Sequence, residues 1–181
     1  MKTTFISKRI FPISLIVLFF GLFSCGDDRP LETVSKVSLE KYMGTWYEIG
    51  RLPNRFEKDL VCVTANYTLN DDGTVKVTNR GKNTKKDAWQ ESEGEAKLPN
   101  PEKPGVLKVA FFKPFYGDYY IMELDKNYQY ALVGSPSRDY LWILSRTKQL
   151  DSKTNRALLE LAKAKGFDIT QFEMTDQSCE N

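Results

Sequence analysis

The sequence predicts an all-β fold, an eight-stranded antiparallel up-and-down β-barrel with one C-terminal α-helix packed on its outside. Eight short runs with strand-like alternation follow one another through turn-length links, and a single convincing helical pattern comes after them. Consecutive short links indicate antiparallel neighbours. Closing eight such strands into a barrel leaves no exposed sheet edge and leaves room for one small ligand.

The first 24 residues are predicted to be a lipoprotein signal peptide. A basic lead precedes an apolar run from Ile10 to Phe23, which is too short for a comfortable membrane span. Residues 22–26, LFSCG, resemble a bacterial lipoprotein box, in which the cysteine becomes the acylated first residue of the mature chain. A cleaved signal with an incidental Cys25 is the alternative. On the first reading, residues 25–37 are the lipidated N-terminus and a polar tether, and residues 38–181 form the barrel domain.

The length predicts one domain, and the charge gives no indication of nucleic-acid binding. Removing the signal leaves 157 of the 181 residues, which is enough for one sizeable core. All 24 acidic side chains and 23 of the 26 basic ones lie in this part, so the apparent basic charge owes much to the signal. Besides Cys25, the exported chain holds Cys62 and Cys179, and this favours a disulfide over a metal site or a reactive pair.

The first predicted element is a short capped turn from Ser38 to Met43, which leads into the first strand. The helix is expected to be capped by Asp151 and to stop at Gly166. The predicted strands are Gly44 to Arg51, Val61 to Leu69, Thr74 to Arg80, Ala88 to Leu98, Val106 to Phe112, Asp118 to Leu124, Tyr128 to Gly134 and Tyr140 to Thr147.

Several stretches of this chain resemble the lipocalins, and more narrowly the bacterial outer-membrane lipocalins, apolipoprotein D and the plant temperature-induced lipocalins. They include residues 44–56, 65–69, 111–117, 130–133 and 139–146, and the resemblance covers Ser38 to Cys179. The family's middle motif is present only loosely, at residues 125–128. The resemblance implies that Trp46 sits at the closed end of the barrel behind Gly44 and that Arg146 packs across its ring. It also implies a disulfide between Cys62 and Cys179.

Alternation along the strands predicts which side chains face the lumen, and related lipocalins use aromatics matching Tyr67 and Trp142 as pocket walls. Such a lining suits an acyl chain with a polar head near the mouth. The alternative is that these side chains fill a solid core. The predicted ligand-binding residues are Tyr67, Val77, Asn79, Val109, Phe111, Tyr119, Tyr128 and Trp142.

The absence of histidine from the sequence excludes Ser-His and Cys-His catalysis and histidine-based metal centres, so we expect a non-enzymatic protein with no cofactor and no metal. The resemblance favours a lipid-anchored lipocalin of the bacterial outer membrane, on its periplasmic face or at the cell surface. It would bind fatty acids or lysophospholipids for storage or transport, with a role in envelope maintenance under stress. A structural or interaction lipoprotein with a filled barrel is the alternative, and the oligomeric state, including a homodimer, is left open.

The connection between the fifth and sixth strands supplies a second hypothesis. Phe115 and Tyr116 lie in a hairpin that the sequence places on the surface, where two aromatics could dip into a membrane or contact a partner. Ordinary local packing is the alternative.

Overall fold

The computed structural model describes residues 30–179 as a closed antiparallel barrel. Among the first eight strands, each pairs with the next along the chain, and the eighth pairs back with the first, so the predicted fold is confirmed. The predicted signal peptide and Cys25 lie outside the described residues. The strands are β1 (Gly44–Arg51), β2 (Leu60–Leu69), β3 (Val75–Asn83), β4 (Ala88–Lys97), β5 (Val106–Phe112), β6 (Phe115–Leu124), β7 (Tyr130–Gly134), β8 (Leu141–Ser145) and the short β9 (Glu173–Met174).

Six strand boundaries differ from the prediction by one or two residues, and two differ by three residues at hairpins. β6 begins at Phe115, so Lys113 and Pro114 alone form the turn and Phe112 pairs with Phe115. β3 continues to Asn83 because its pairing with β4 extends through polar residues that carry no apolar alternation. Both differences arise because strand pairing is decided by backbone hydrogen bonds between partners, which the pattern of one strand does not reveal.

The helices have the predicted caps. The Ser38 side chain accepts a hydrogen bond from the Lys41 amide at the start of α1 (Leu39–Tyr42). Asp151 accepts from two amides at the start of α2 (Ser152–Ala164), which ends before Gly166 at φ +90°. α2 buries Leu158 and Ala162 against the outer face of the barrel, as expected. Within residues 30–179, no helix is both long and apolar enough to span a membrane.

The barrel has two ends, which we call the base and the mouth. The base carries α1 and the turns after β2, β4 and β6, which are residues 70–74, 98–105 and 125–129. The mouth carries the connections after β1, β3, β5 and β7, which are residues 52–59, 84–87, 113–114 and 135–140. α2 starts after β8 has returned to the base and therefore runs outside the barrel towards the mouth, where the Lys165 carbonyl accepts from Arg138 Nε at 3.3 Å.

The C-terminal tail fills a gap between β1 and β2. These strands pair directly only from Gly44 to Tyr47. Beyond that point β9 pairs with the end of β1, and the Gln177 side chain donates to the carbonyls of Glu48 and Val63 at 2.9 and 2.8 Å. The tail therefore completes the hydrogen bonding of both strands near the mouth.

The predicted disulfide is confirmed, and it fixes this tail. Cys62 and Cys179 are bonded across a sequence separation of 117 residues. Cys62 also donates its amide to the Asp176 carbonyl at 2.7 Å. Alternation places Cys62 away from the lumen, yet it is buried, because the tail covers it and because β2 bulges at this point with Cys62 at φ +53°.

Candidate ligand cavity

The barrel interior holds a cavity with a free volume of about 100 Å³. Its wall is mostly aliphatic and aromatic, as in sites for small apolar ligands. Seven of the eight predicted ligand-binding residues line it, namely Tyr67, Val77, Asn79, Val109, Phe111, Tyr119 and Trp142. Alternation found them because inward-facing residues recur every second position along each strand.

Tyr128 is the predicted residue that the structure places elsewhere. It lies in the turn before β7, which begins two residues later at Tyr130, so the alternation of that strand does not extend to it. Its hydroxyl accepts a hydrogen bond from the Ser38 amide at 2.8 Å. Tyr128 therefore ties the N-terminal segment to the base and is not part of the cavity wall.

The structure adds wall residues that the sequence reading missed. α1 contributes Leu39 and Tyr42, and its C-cap residue Met43 also lines the cavity. Glu48 lies two positions after Trp46 on the same face of β1, so alternation could have found it. Glu57 belongs to the connection after β1, and no periodic signal exists for a loop.

Three tyrosine hydroxyls form a cluster deep in the cavity. The Tyr119 hydroxyl lies 2.8 Å from that of Tyr42 and 3.0 Å from that of Tyr67. Burial raises the pKa of Tyr67 to about 12 and raises the pKa values of Tyr42 and Tyr119 well above their ordinary value. The cluster is therefore uncharged at neutral pH, and its hydroxyls hydrogen bond to one another inside a mostly apolar wall.

A buried carboxyl group lies beside the mouth end of β1. Glu48 hydrogen bonds to Arg51 and to the Thr175 hydroxyl of the tail. Burial first, and then the charge of Glu57, raise the pKa of Glu48 to about 8, while the Arg51 guanidinium opposes this shift. Arg51 also donates to the carbonyls of Glu57 and Leu60 at 2.9 and 3.2 Å, and so holds the connection after β1 in place.

Glu57 joins that connection to the wall of the cavity. Its carboxylate accepts from Trp142 Nε1 at 2.9 Å and from Asn54 Nδ2 at 2.6 Å. Trp142 stacks on Tyr140 with ring centres 5.9 Å apart. A half-buried carboxylate and two aromatic rings therefore stand together at the mouth.

One polar atom in the wall has no partner. Asn79 lines the cavity, and its Oδ1 is buried without a hydrogen bond to any part of the chain that the structure describes. An unpaired buried amide oxygen costs about 1–3 kcal/mol. A ligand hydroxyl or amine that reached it would remove that cost.

The base is closed around Trp46. This side chain is fully buried and donates from Nε1 to the Tyr42 carbonyl at 2.8 Å. The Arg146 guanidinium lies 3.9 Å from the centre of the indole ring. Gly44 has φ +89°, a backbone conformation that favours glycine, and a β-carbon there would lie at an ordinary contact distance of 3.5 Å from Arg146 Nη1. Arg146 also donates to a series of backbone carbonyls, those of Lys41, Tyr42, Met43, Thr45 and Tyr128.

The family follows from a comparison of the whole domain with known families. Residues 37–177 match the family model described as a lipocalin-like domain. The chain is a lipocalin. It is 40% identical over 173 residues to outer membrane lipoprotein Blc of Escherichia coli K12, covering 93% of this chain and 98% of that protein. It is also 41% identical over 161 residues to temperature-induced lipocalin-1 of Arabidopsis thaliana, covering 84% and 86% of the two chains.

Solved lipocalin-like structures resemble this barrel at lower identity. The cockroach allergen Per a 4 superposes with a TM-score of 0.64 and 26% identity, covering 84% of this lipocalin and 97% of the allergen. The family resemblance drawn from the sequence motifs is therefore confirmed. The ligand-contacting roles of the wall residues stay a prediction.

Proposed function

We propose that this lipocalin is a lipid-anchored protein of the bacterial outer membrane that carries a lysophospholipid or a fatty acid in its cavity for storage or transport. Acylated Cys25 would supply the anchor, and service to the envelope under stress is the role we expect. The name of the E. coli relative, an outer membrane lipoprotein, supports the location and the anchor. The observation that carries the binding role is the mostly aliphatic and aromatic wall of the cavity inside the barrel.

The charges on the wall favour one ligand class over the other. The wall contains the carboxyl groups of Glu48 and Glu57 but no lysine or arginine among the described residues that line it. A free fatty acid would bring a carboxylate towards Glu57, and the described wall residues offer no lysine or arginine to pair with it. A lysophospholipid with an ammonium head would instead meet a carboxylate beside the faces of Trp142 and Tyr140, a combination that attracts cations.

Asn79 supports the same class. The residue lines the cavity, and its buried Oδ1 has no partner in the part of the chain that the structure describes. The free glycerol hydroxyl of a lysophospholipid is a donor of the kind that this oxygen lacks, and a fatty acid offers no such hydroxyl along its chain. We therefore expect lysophosphatidylcholine and lysophosphatidylethanolamine to bind more tightly than oleate.

The test is a titration of soluble protein that lacks residues 1–24 and carries Cys25→Ser. After removal of lipid, the protein is titrated with oleate and with lysophosphatidylcholine while tryptophan fluorescence is followed, with Trp142→Phe to identify the responding ring. We expect saturable binding of both, with lysophosphatidylcholine about tenfold tighter, a preference worth about 1.4 kcal/mol. Glu57→Gln should reduce this preference, and Glu102→Gln on the base is its matched control.

The outcomes separate the two candidate functions. A folded, delipidated protein that binds neither lipid would refute the carrier proposal and favour the structural or interaction lipoprotein. Equal affinity for the two lipids, unchanged by Glu57→Gln, would leave a carrier but reject the role of Glu57 in choosing the head group.

A further inference from the structure

The exposed large hydrophobic side chains gather at one end of this barrel. Five such residues occur in residues 30–179, and all five lie in the half of the barrel nearer the mouth. Three are phenylalanines of the mouth connections or their flanks, with exposed fractions of 60, 78 and 79%. The five are Phe56, Trp89, Phe112, Phe115 and Met174. A one-sided set of this kind marks a surface that contacts an apolar partner.

The turn between β5 and β6 carries the two most exposed residues of this set. Phe112 and Phe115 form its last strand pair and are nearly fully exposed. Tyr116, in contrast, hydrogen bonds to Glu95 at 2.9 Å and lies under the Lys97 ammonium. The apolar tip therefore consists of Phe112 and Phe115. Of the two aromatics that the sequence hypothesis named for this hairpin, Phe115 belongs to the tip and Tyr116 does not.

Charge also distinguishes the two ends. The mouth connections carry more cations than acids, whereas the base turns carry more acids than cations. The mouth has Arg55, Lys58, Lys85, Lys86, Lys113 and Arg138 against Glu57, Asp59, Asp87 and Asp139. The base turns have Lys103 and Lys126 against Asp71, Asp72, Glu102 and Asp125, and α1 and the connection after β8 add Lys41, Arg146 and Lys148 against Glu40 and Asp151. Anionic lipid head groups would favour the mouth and repel the base.

The start of the described chain also lies at the mouth. From the base, where Ser38 donates to Tyr128, the N-terminal segment runs along the outside of the barrel and pairs the Val34 amide with the Ile121 carbonyl at 2.9 Å. Glu32 then reaches Lys165, at the end of α2 beside the connection after β7, with the Lys165 ammonium 3.4 Å from the Glu32 carbonyl.

The length of the remaining tether sets the orientation. Cys25 precedes Pro30 by five residues, which span at most about 18 Å when fully extended. Ten-residue strands tilted as in small barrels give a wall roughly 25 Å tall. If the base rested on the membrane, Pro30 would stand beyond the reach of an anchor on Cys25. With the mouth on the membrane, the tether has length to spare.

We propose that the mouth of the barrel docks on the bilayer that holds the anchor, with Phe112 and Phe115 inserted at the lipid interface. The cavity then opens onto the membrane, so an acyl ligand passes between bilayer and barrel without crossing water. This inference rests on the proposed anchor at Cys25, but it does not require that the cavity bind any particular lipid.

The first experiment measures orientation in the acylated protein. Full-length protein, with acylation of Cys25 verified by mass, is reconstituted into vesicles of phosphatidylethanolamine with one quarter phosphatidylglycerol. Tryptophan is placed at the mouth by Phe115→Trp or at the base by Asp71→Trp, each in a Trp89→Phe background, and is quenched by brominated lipid. Relative to the Trp89→Phe background, we expect strong additional quenching for the tryptophan at the mouth and none for the tryptophan at the base. Equal quenching at the two positions, or stronger quenching at the base, would overturn the proposal.

The second experiment removes the apolar tip from soluble Cys25→Ser protein. Phe112→Ser with Phe115→Ser should lower partitioning into the same vesicles by roughly ten- to a hundredfold, because each phenyl ring loses its apolar contact. Neither residue lines the cavity, so lysophosphatidylcholine binding should be unchanged. Membrane docking would be refuted if the double variant partitioned into vesicles as well as the parent does. It would also be refuted if the substitutions changed the oligomeric state and left partitioning unaffected. If the parent protein bound no lysophosphatidylcholine, the proposed function would be refuted, and the docking experiment could still be interpreted.

Discussion

Replacing Arg146 with methionine should destabilise the barrel by opening its base. The guanidinium lies 3.9 Å from the centre of the Trp46 ring and donates to carbonyls on both sides of the entry into β1. Methionine keeps much of the apolar stem but supplies neither the donors nor the charge. The carbonyls of α1 and of the start of β1 would then lose their shared donor.

The magnitude follows from the exposure of this side chain. Hydrogen bonds from a charged donor contribute about 1.5–3 kcal/mol each when buried, and a cation–π contact about 0.5–2 kcal/mol. Arg146 is only half-buried, so water can reach several of the carbonyls that it leaves, and the contributions do not add. We expect a loss of about 2–4 kcal/mol in the free energy of unfolding, which lowers Tm by roughly 5–15 °C for a domain of this size.

Urea unfolding followed by circular dichroism and tryptophan fluorescence measures this loss. Lys126→Met is the matched control, because it removes an exposed cation at the same end of the barrel and should change stability by no more than about 0.5 kcal/mol. Arg146→Lys should fall between the two, since an ammonium keeps the charge but cannot span the same carbonyls. A loss below about 0.5 kcal/mol for Arg146→Met would refute the idea that this side chain holds the base together.

Three further predictions concern the tail and the buried acid. Cys62→Ser with Cys179→Ser should lower the free energy of unfolding by about 2–4 kcal/mol, measured in urea, and a change near zero would show that the tail stays in place without the bond. Gly50→Ala should cost about 1–3 kcal/mol by the same assay, because its β-carbon would lie 2.6 Å from a tail carbonyl, whereas Gly117→Ala, with 3.8 Å of clearance, should be neutral. Since the pKa of Glu48 is raised to about 8, this residue stabilises the fold fully only below its unfolded pKa of about 4.3, and that contribution is lost as pH rises through 8. Glu48→Gln should therefore gain stability relative to the parent between about pH 5 and pH 9, and parallel pH profiles would contradict the assignment.

The sequence was a good guide wherever a residue acts through its own strand. Tyr67, Val77 and Phe111 alternate with outward-facing neighbours, and a period of two is enough to place them on the cavity wall. Asp151 and Gly166 mark the two ends of a helix because caps are local. Tyr128 shows the limit of this reasoning, since the pattern could not tell that its strand begins two residues later.

The sequence by itself determined the eight-stranded barrel, the outer helix, the lipocalin family and most of the cavity wall, because these depend on short-range periodicity and on motifs of neighbouring residues. Only the tertiary structure decided that Glu57 joins Trp142 at the mouth, that the tail fills the gap between β1 and β2, and that the exposed phenylalanines lie at the same end as Pro30. Those arrangements bring together residues far apart in the chain. Their positions are set by how the strands close and by which loops meet at each end, and no local pattern records that geometry.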